Sequence, residues 1–375
     1  MATALTTHGT SLIAMAFAVA AVLVPVLGGP ARRVGLVDNP CRRKRHEGQV
    51  PLTGGLAMFV AFVVAISFNA EWFGPLSWLL VGMGALLCVG VLDDLMEMRA
   101  LHKLIAQVLV AGLLVFIGGL EIQKFGELLG SSFGPIGLGP FSEAFTIACI
   151  VFLINAINMS DGLDGLAGGL GMVLLLMLGL LGWLSGVDAP LIGACFLLAF
   201  SVLGFLIYNL QSPLRRKASA FMGDAGSMML GVAIAWLAIS IVNSSVNSSV
   251  KPGNSTIYPV SIAWLLLIPA MDTLAVSLRR ISQGRSPMSA DRAHLHHIIL
   301  RCGFSVRSTV GIVHLAALCT ALIGIGGWYL RAPEWLMFAL AAVIMVIYVI
   351  ALINAHRIMR WRLRRLRASL RRLRA

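Results

Sequence analysis

Leu86-Leu87-Cys88-Val89-Gly90-Val91-Leu92-Asp93-Asp94 closes an apolar stretch that begins at residue 75 and carries no charge before Asp93. A spanning helix needs roughly 20 mostly apolar residues. Residues 75–92 therefore predict a membrane crossing that ends on two adjacent carboxylates. Ten more apolar stretches flank it, at 11–30, 54–70, 104–120, 142–158, 166–186, 189–208, 226–243, 258–278, 309–330 and 334–353. The stretch at 54–70 is short, and only the turn-like run Ser185-Gly186-Val187-Asp188-Ala189-Pro190 separates 166–186 from 189–208. The predicted fold class is all-α, a polytopic membrane protein of about 11 transmembrane helices. Composition agrees. The chain of 375 residues is 58% hydrophobic and 12% charged, against about a quarter charged in soluble domains. Its mean hydropathy is +0.90. An ordinary soluble enzyme and a disordered chain are both excluded. Residues 1–353 form a single multi-span domain in this reading, with a separate basic tail at 354–375.

The cations orient the spans. Of 29 Lys and Arg, 26 fall in the loops after odd-numbered stretches or in the tail. Only Lys124, Lys251 and Arg331 fall on the other side. Loops rich in Lys and Arg stay in the cytoplasm, so the amino terminus is expected to be periplasmic and the carboxyl terminus cytoplasmic. No Lys or Arg precedes the first stretch and a basic cluster follows it, which predicts an anchor rather than a cleaved signal peptide. The net charge of +13 thus records orientation and lipid contact. In the tail, Leu363, Leu366, Leu370 and Leu373 recur among Arg at helical spacing. That is an amphipathic surface helix suited to an anionic lipid bilayer. No aromatic platform accompanies the Arg residues, so no nucleic acid is expected as a partner. Six Cys are scattered without a CxxC pair, which supports neither a disulfide framework nor a zinc knuckle.

The few acids sort by type. Asp38, Asp93, Asp94, Asp161, Asp164, Asp224, Asp272 and Asp291 lie toward the cytoplasmic side, and only Asp188 lies outside. Glu71, Glu121, Glu127, Glu143 and Glu334 lie outside, while Glu47 and Glu97 lie inside. Orientation does not require this sorting. Short carboxylates gathered at one face suit phosphate chemistry, where one or two of them hold magnesium alongside substrate phosphates. In Asn155-Ala156-Ile157-Asn158-Met159-Ser160-Asp161-Gly162-Leu163-Asp164-Gly165-Leu166, a helix would put Asn158, Asp161 and Asp164 on one face. In Phe221-Met222-Gly223-Asp224-Ala225-Gly226-Ser227, Asp224 is placed to cap a helix whose amides face an anion. In Ser289-Ala290-Asp291-Arg292-Ala293-His294-Leu295-His296-His297, helical spacing puts Asp291, His294 and His297 on one face. The spacing fits neither HExxH nor a zinc finger. Arg and several His suit a clamp on phosphate. Asp272 lies about two turns inside Arg279, roughly 10 Å deep. A functional carboxylate and a helix–helix hydrogen bond are both open for it.

Pro51-Leu52-Thr53-Gly54-Gly55, Asp93-Asp94, Asn155 through Leu166, Met222 through Ser227 and Asp291 through His297 occur in that order on one face. Together they resemble the polyprenyl-phosphate N-acetylhexosamine-1-phosphate transferase family, of glycosyltransferase 4 type, over nearly the whole chain. The His-x-His-His pattern, Gly35-Leu36-Val37-Asp38, Arg45-His46 and Pro333-Glu334-Trp335 resemble its bacterial N-acetylglucosamine branch. The muramoyl-pentapeptide branch typically has three consecutive His there. The resemblance implies transfer of N-acetylglucosamine 1-phosphate from UDP-GlcNAc to undecaprenyl phosphate, giving UMP and the lipid-diphosphate sugar. It implies the first membrane step of a cell-surface polysaccharide, O antigen or a related glycan, at the bacterial inner membrane. Another UDP-N-acetylhexosamine is the alternative donor, and a homodimer is left open.

The resemblance also implies Mg2+ or Mn2+, with Asp224 as metal ligand and Asn158 as a second. It implies a catalytic set of Asp93, Asp94, Lys103 and Asp161. Asp93 or Asp94 would deprotonate or position the lipid phosphate, and Lys103 would touch the pyrophosphate. Thr53, Asp164, Arg292, His294, His296 and His297 would bind substrate, Asp164 near the uracil and the His loop over the sugar and diphosphate. The rival class is a transporter, which would place charge near the midplane, often in paired broken helices. Here Asp272 is the only deep carboxylate. A non-catalytic scaffold would need no clustered Asp, Lys and His.

Overall fold

A computed structural model describes residues 7–39, 48–211, 217–248, 256–286 and 294–354. Asp291, Arg292 and the basic tail lie outside the described residues. Each of the eleven apolar stretches is helical. In chain order the helices are α1 (Thr7–Val34), α2 (Gly54–Ser67), α3 (Ala70–Phe73), α4 (Ser77–Met96) and α5 (Ala100–Gly112). Then follow α6 (Ser142–Met159), α7 (Leu166–Ser185), α8 (Ala189–Asn209), α9 (Gly223–Ser248) and α10 (Pro259–Leu265). The last are α11 (Leu267–Ser282), α12 (Leu295–Arg301), α13 (Val306–Tyr329) and α14 (Glu334–Ile353). A π-helical turn at Leu113–Ile117 extends α5 to spanning length. Among the described residues nine helices are long and apolar enough to cross a membrane. The chain is a multi-pass, essentially all-α membrane protein.

Two stretches depart from simple crossings. α2 has 14 residues, or about 21 Å of helix, less than the ~30 Å hydrocarbon core. The stretch at 258–278 is broken at Leu266, where α10 and α11 meet at 79°. Pro269, in the first turn of α11, explains the break. It lacks the amide that would reach the Leu265 carbonyl, and its ring crowds that position.

α9 runs through the middle and is buried on nearly every side by α4, α6, α7 and α2. A helix apolar all round belongs in such a place. Its contact with α4 depends on Gly90, because a Cβ there would overlap the backbone of Ala225. Small residues let membrane helices approach this closely. Gly90→Val is expected to lower the yield of monodisperse protein in detergent and its melting temperature, since overpacking costs about 1–3 kcal/mol. α14 is peripheral and presents Val343, Val346, Ile347 and Ile350 outward, as suits a helix in contact with lipid.

A two-stranded antiparallel pair lies between α1 and α2. β1 (Val37–Asp38) pairs with β2 (Val50–Pro51), Val37 opposite Pro51 and Asp38 opposite Val50. It anchors the approach to α9. Phe221 N–H donates to the Pro51 carbonyl at 3.0 Å, and Gly54 N–H donates to the Phe221 carbonyl at 3.0 Å. The acids sort by end, as predicted. Asp93, Asp94 and Asp224 sit where α4, α5, α6 and α9 meet, and Asp164 lies in the turn after α6, near the end of α8. Glu121, Glu127, Glu334 and Asp188 make their contacts at the opposite ends of these helices. The five described cysteines are free thiols.

Candidate active site

The start of α9 is held by the end of α4. Asp94 accepts hydrogen bonds from the backbone N–H of Asp224 at 2.9 Å and of Ala225 at 3.2 Å. The first amides of a helix have no partner within it, and its dipole favours an anion there. The anion expected at these amides is therefore the protein's own Asp94. Asp224 does not cap the helix as predicted; it lies in the first turn, and its carboxylate is left to face the cluster. Gly223 makes this possible. Its φ is +70°, and a Cβ on it would run into the Asp94 carboxylate.

Asp93 and Asp94 are neighbours with separate surroundings. Asp93 is 4% exposed. It accepts the Met98 N–H at 2.8 Å and pairs with the Lys103 ammonium. The same Lys103 Nζ donates to Asp224 Oδ2 at 2.8 Å. Asn158 Nδ2 donates to Asp224 Oδ1 at 2.7 Å and to Ser227 Oγ at 2.8 Å. Behind this layer, Asn155 Nδ2 donates to Gln107 Oε1 at 2.6 Å, and Gln107 Nε2 reaches Met228 Sδ at 3.4 Å. Gln107, Asn155 and Ser227 belong to the cluster without having been predicted as site residues. A buried Gln inside an apolar stretch was their visible signal, because such a group needs partners.

The predicted shared face of Asn158, Asp161 and Asp164 does not form. α6 ends at Met159, and turns occupy residues 160–165 up to the left-handed Gly165. Asn158 alone reaches Asp224. Asp161 is exposed on the turn. Asp164 accepts from Gln211 Nε2 at 2.9 Å and from the Ala218 N–H at 3.3 Å, toward the end of α8. Thr53 sits where α2 packs against α1. It is fully buried, and its hydroxyl donates to the Val24 carbonyl at 3.2 Å. The next two residues, Gly54 and Gly55, donate their backbone N–H groups to the Phe221 and Met222 carbonyls.

The His segment folds differently from its predicted helical face. His294 precedes α12 in extended conformation, so it does not share a helix face with His297. It is 6% exposed, and its Nδ1 lies 2.9 Å from Asp272 Oδ2. Its ring stacks on that of His296, with centroids 5.8 Å apart, and the His296 ring lies 4.3 Å from that of His297. His296 is 3% exposed, and its Nε2 has no hydrogen-bond partner among the described residues. A Cβ on Gly162 would lie 2.5 Å from that nitrogen. The last turn of α6 thus carries Asn158 toward Asp224, and the turn that follows it lies under His296. Burial pushes the His296 imidazole down to about 3, with the neighbouring His297 adding to the effect.

Residues 76–242 match glycosyl transferase family 4. An undecaprenyl-phosphate alpha-N-acetylglucosaminyl 1-phosphate transferase of Salmonella typhi is 33% identical over 347 residues, which cover 92% of this chain and 90% of that protein. The Yersinia pestis protein of the same name is 34% identical over 334 residues, 88% of each chain. That of Pasteurella multocida is 34% identical over 356 residues, covering 92% of this chain and 93% of its own. The chain belongs to glycosyl transferase family 4.

In a family 4 enzyme the donor set around Asp224 has a clear meaning. Among the described residues no three His, Cys, Asp or Glu side chains converge as a ready metal cage. Magnesium asks for less, being held by one or two carboxylates together with substrate phosphates. Asp224 and Asn158 supply hard oxygen donors, and the Asp224 side chain is 33% exposed. Two carboxylates, Asp93 and Asp224, pair with one ammonium, Lys103, and a third, Asp94, lies next to them on the first amides of α9. The cluster is therefore short of positive charge, and its residues fit a divalent ion that arrives with phosphate.

Proposed function

We propose that this family 4 enzyme transfers N-acetylglucosamine 1-phosphate from UDP-N-acetylglucosamine to undecaprenyl phosphate and releases UMP. The names of relatives aligned over about nine-tenths of each chain support the substrates. The observation that carries the chemistry is the convergence of Asp93, Lys103, Asn158 and Asp224 at the helix ends. Phosphoryl transfer needs positioning and charge neutralisation more than covalent help. A phosphate oxygen of the lipid attacks the β-phosphorus of the donor, and the α–β bridge breaks with its oxygen leaving on UMP. Asp93 takes or orients the proton of the lipid phosphate. Lys103 moves from the carboxylates onto the donor diphosphate, and Asp164 faces the uracil. His296 offers its unpaired Nε2, and with His297 and Arg292 covers the sugar and diphosphate. Asp224 and Asn158 would hold Mg2+ or Mn2+, which would neutralise charge on the phosphates.

The site lies at the cytoplasmic face of the bacterial inner membrane in this proposal. There a water-soluble nucleotide meets a phosphate anchored by its lipid tail. The eleven helical stretches make eleven passes, with α2 and the bent α10–α11 pair each counted as one. The amino terminus is periplasmic, and the tail lies on anionic lipid in the cytoplasm. The product enters a cell-surface polysaccharide such as O antigen.

The test is a panel of UDP-sugars given to purified enzyme with undecaprenyl phosphate and Mg2+, following UMP. UDP-N-acetylglucosamine is expected to be the best donor. Preference for another UDP-N-acetylhexosamine would move the donor assignment, and no turnover with any would return the transporter reading. A reporter fused after Ala375 is expected to be cytoplasmic. The buried His296 also sets a pH dependence. An opened loop binds a proton below about pH 6.5, whereas the packed imidazole refuses one until about pH 3. Packing of the loop is therefore complete above about pH 6.5 and weakens as pH falls, by at most about tenfold per pH unit. The KM for donor is expected to rise between about pH 6.5 and 5, and to rise less in His296→Gln.

A further inference from the structure

One carboxylate inside the membrane region ties three helices together. Asp272, on α11, is 7% exposed. Its Oδ1 accepts the Leu295 N–H at 2.8 Å and the Tyr348 hydroxyl at 2.7 Å, and its Oδ2 lies 2.9 Å from His294 Nδ1. These partners come from α12, from α14 and from the residue preceding α12. Around them Ala275, Val276 and Leu352 form a small apolar cluster, with Ile298 of α12 packed against it. Apolar contact would suffice if α11 and α14 only had to pack. A charge at this depth is costly, and two of its three partners are the first residues of the His segment.

We infer that Asp272 is a positioning residue that, with Tyr348, holds the His294–His297 segment against the Ser160–Gly162 turn and so places it relative to Asp224. The linkage is continuous. His294 is fixed through Nδ1, its ring stacks on His296, and His296 lies on Gly162, four residues beyond the Asn158 that binds Asp224. Below this contact lies a small cavity bounded by Ser160, Leu166, Ile268, Asp272, His296 and Val313. The segment is thus held by the Asp272 hydrogen bonds together with the apolar contacts of Leu295, Ile298 and Ile299. The carboxylate also selects the imidazole tautomer. A hydrogen bond at Nδ1 accepted by Asp272 keeps a proton on that nitrogen. The inference rests on the reading of the His segment as part of the donor site.

The test uses full-length enzyme in detergent, with Asp272→Asn and Tyr348→Phe. Hydrogen exchange at 294–301, measured without substrate, is expected to be about tenfold faster in Asp272→Asn and about two- to fivefold faster in Tyr348→Phe, the scale of lost charge-assisted and single hydrogen bonds. KM for UDP-N-acetylglucosamine is expected to rise by similar factors while kcat changes less. If Asp272→Asn does not fold, Tyr348→Phe, which removes one hydroxyl, decides alone. Unchanged exchange in a folded variant would overturn the inference, as would a fall in kcat at unchanged KM. The exchange readout needs no substrate. Failure of the wild type to use any UDP-sugar would thus sink the proposed activity and still leave the exchange result to judge Asp272.

Discussion

Asp224→Asn is expected to lower kcat by roughly 10³-fold while the protein still inserts and folds, as several kcal/mol of charge stabilisation around the phosphates would be lost. Asparagine has nearly the same shape and keeps an oxygen to accept the Asn158 amide, which now donates to Asp224 Oδ1. Lys103 keeps Asp93 as a partner. The local fold therefore has little reason to change, and the loss should appear as missing metal-dependent turnover. Binding of Mn2+ in the presence of UDP, followed by paramagnetic resonance, should weaken in parallel. Near-normal kcat in the purified variant would remove Asp224 from the metal assignment.

Asp93 and Asp94 are expected to fail in different ways, although the sequence presents them as a pair. Asp93→Asn should cost about 10²–10⁴-fold in kcat, the range for loss of a positioned proton acceptor, with thermal stability kept. Asp94→Asn should lose about 1 kcal/mol or more of capping and dipole interaction at the start of α9. It should melt a few degrees lower and lose activity less steeply, because Asp224 is carried on the turn that Asp94 anchors. Measuring kcat and melting temperature on both variants separates the roles. The reverse pattern, an Asp93→Asn that melts lower and an inactive but stable Asp94→Asn, would exchange the two assignments.

Much of the site was legible because its residue types are expensive where they occur. Lipid offers no hydrogen bonds, so each Asp, Lys or His near a span end needs a reason that can be sought before the fold is known. That logic found Asp93, Asp94, Asp224 and the His segment, and the ordered motifs added Lys103 and Asn158. It failed where local spacing had to stand for three-dimensional direction. The helix expected through Asp161 and Asp164 stops at Met159, which turns Asp164 toward Gln211. Asp272 could not be judged between two roles until its three partners, all more than 20 residues away, were in place.

The sequence by itself determined the helical stretches, the family and the gathering of carboxylates at one set of helix ends. Those properties follow from length, hydropathy and residue type, which act locally or through the bilayer. Only the tertiary structure decided the bend between α10 and α11 and which of two adjacent aspartates caps α9. It alone showed that Asp272 is hydrogen-bonded to His294 and Leu295. Each of these depends on partners brought together from distant parts of the chain, and hydrogen-bond geometry at about 3 Å cannot be read from spacing along it.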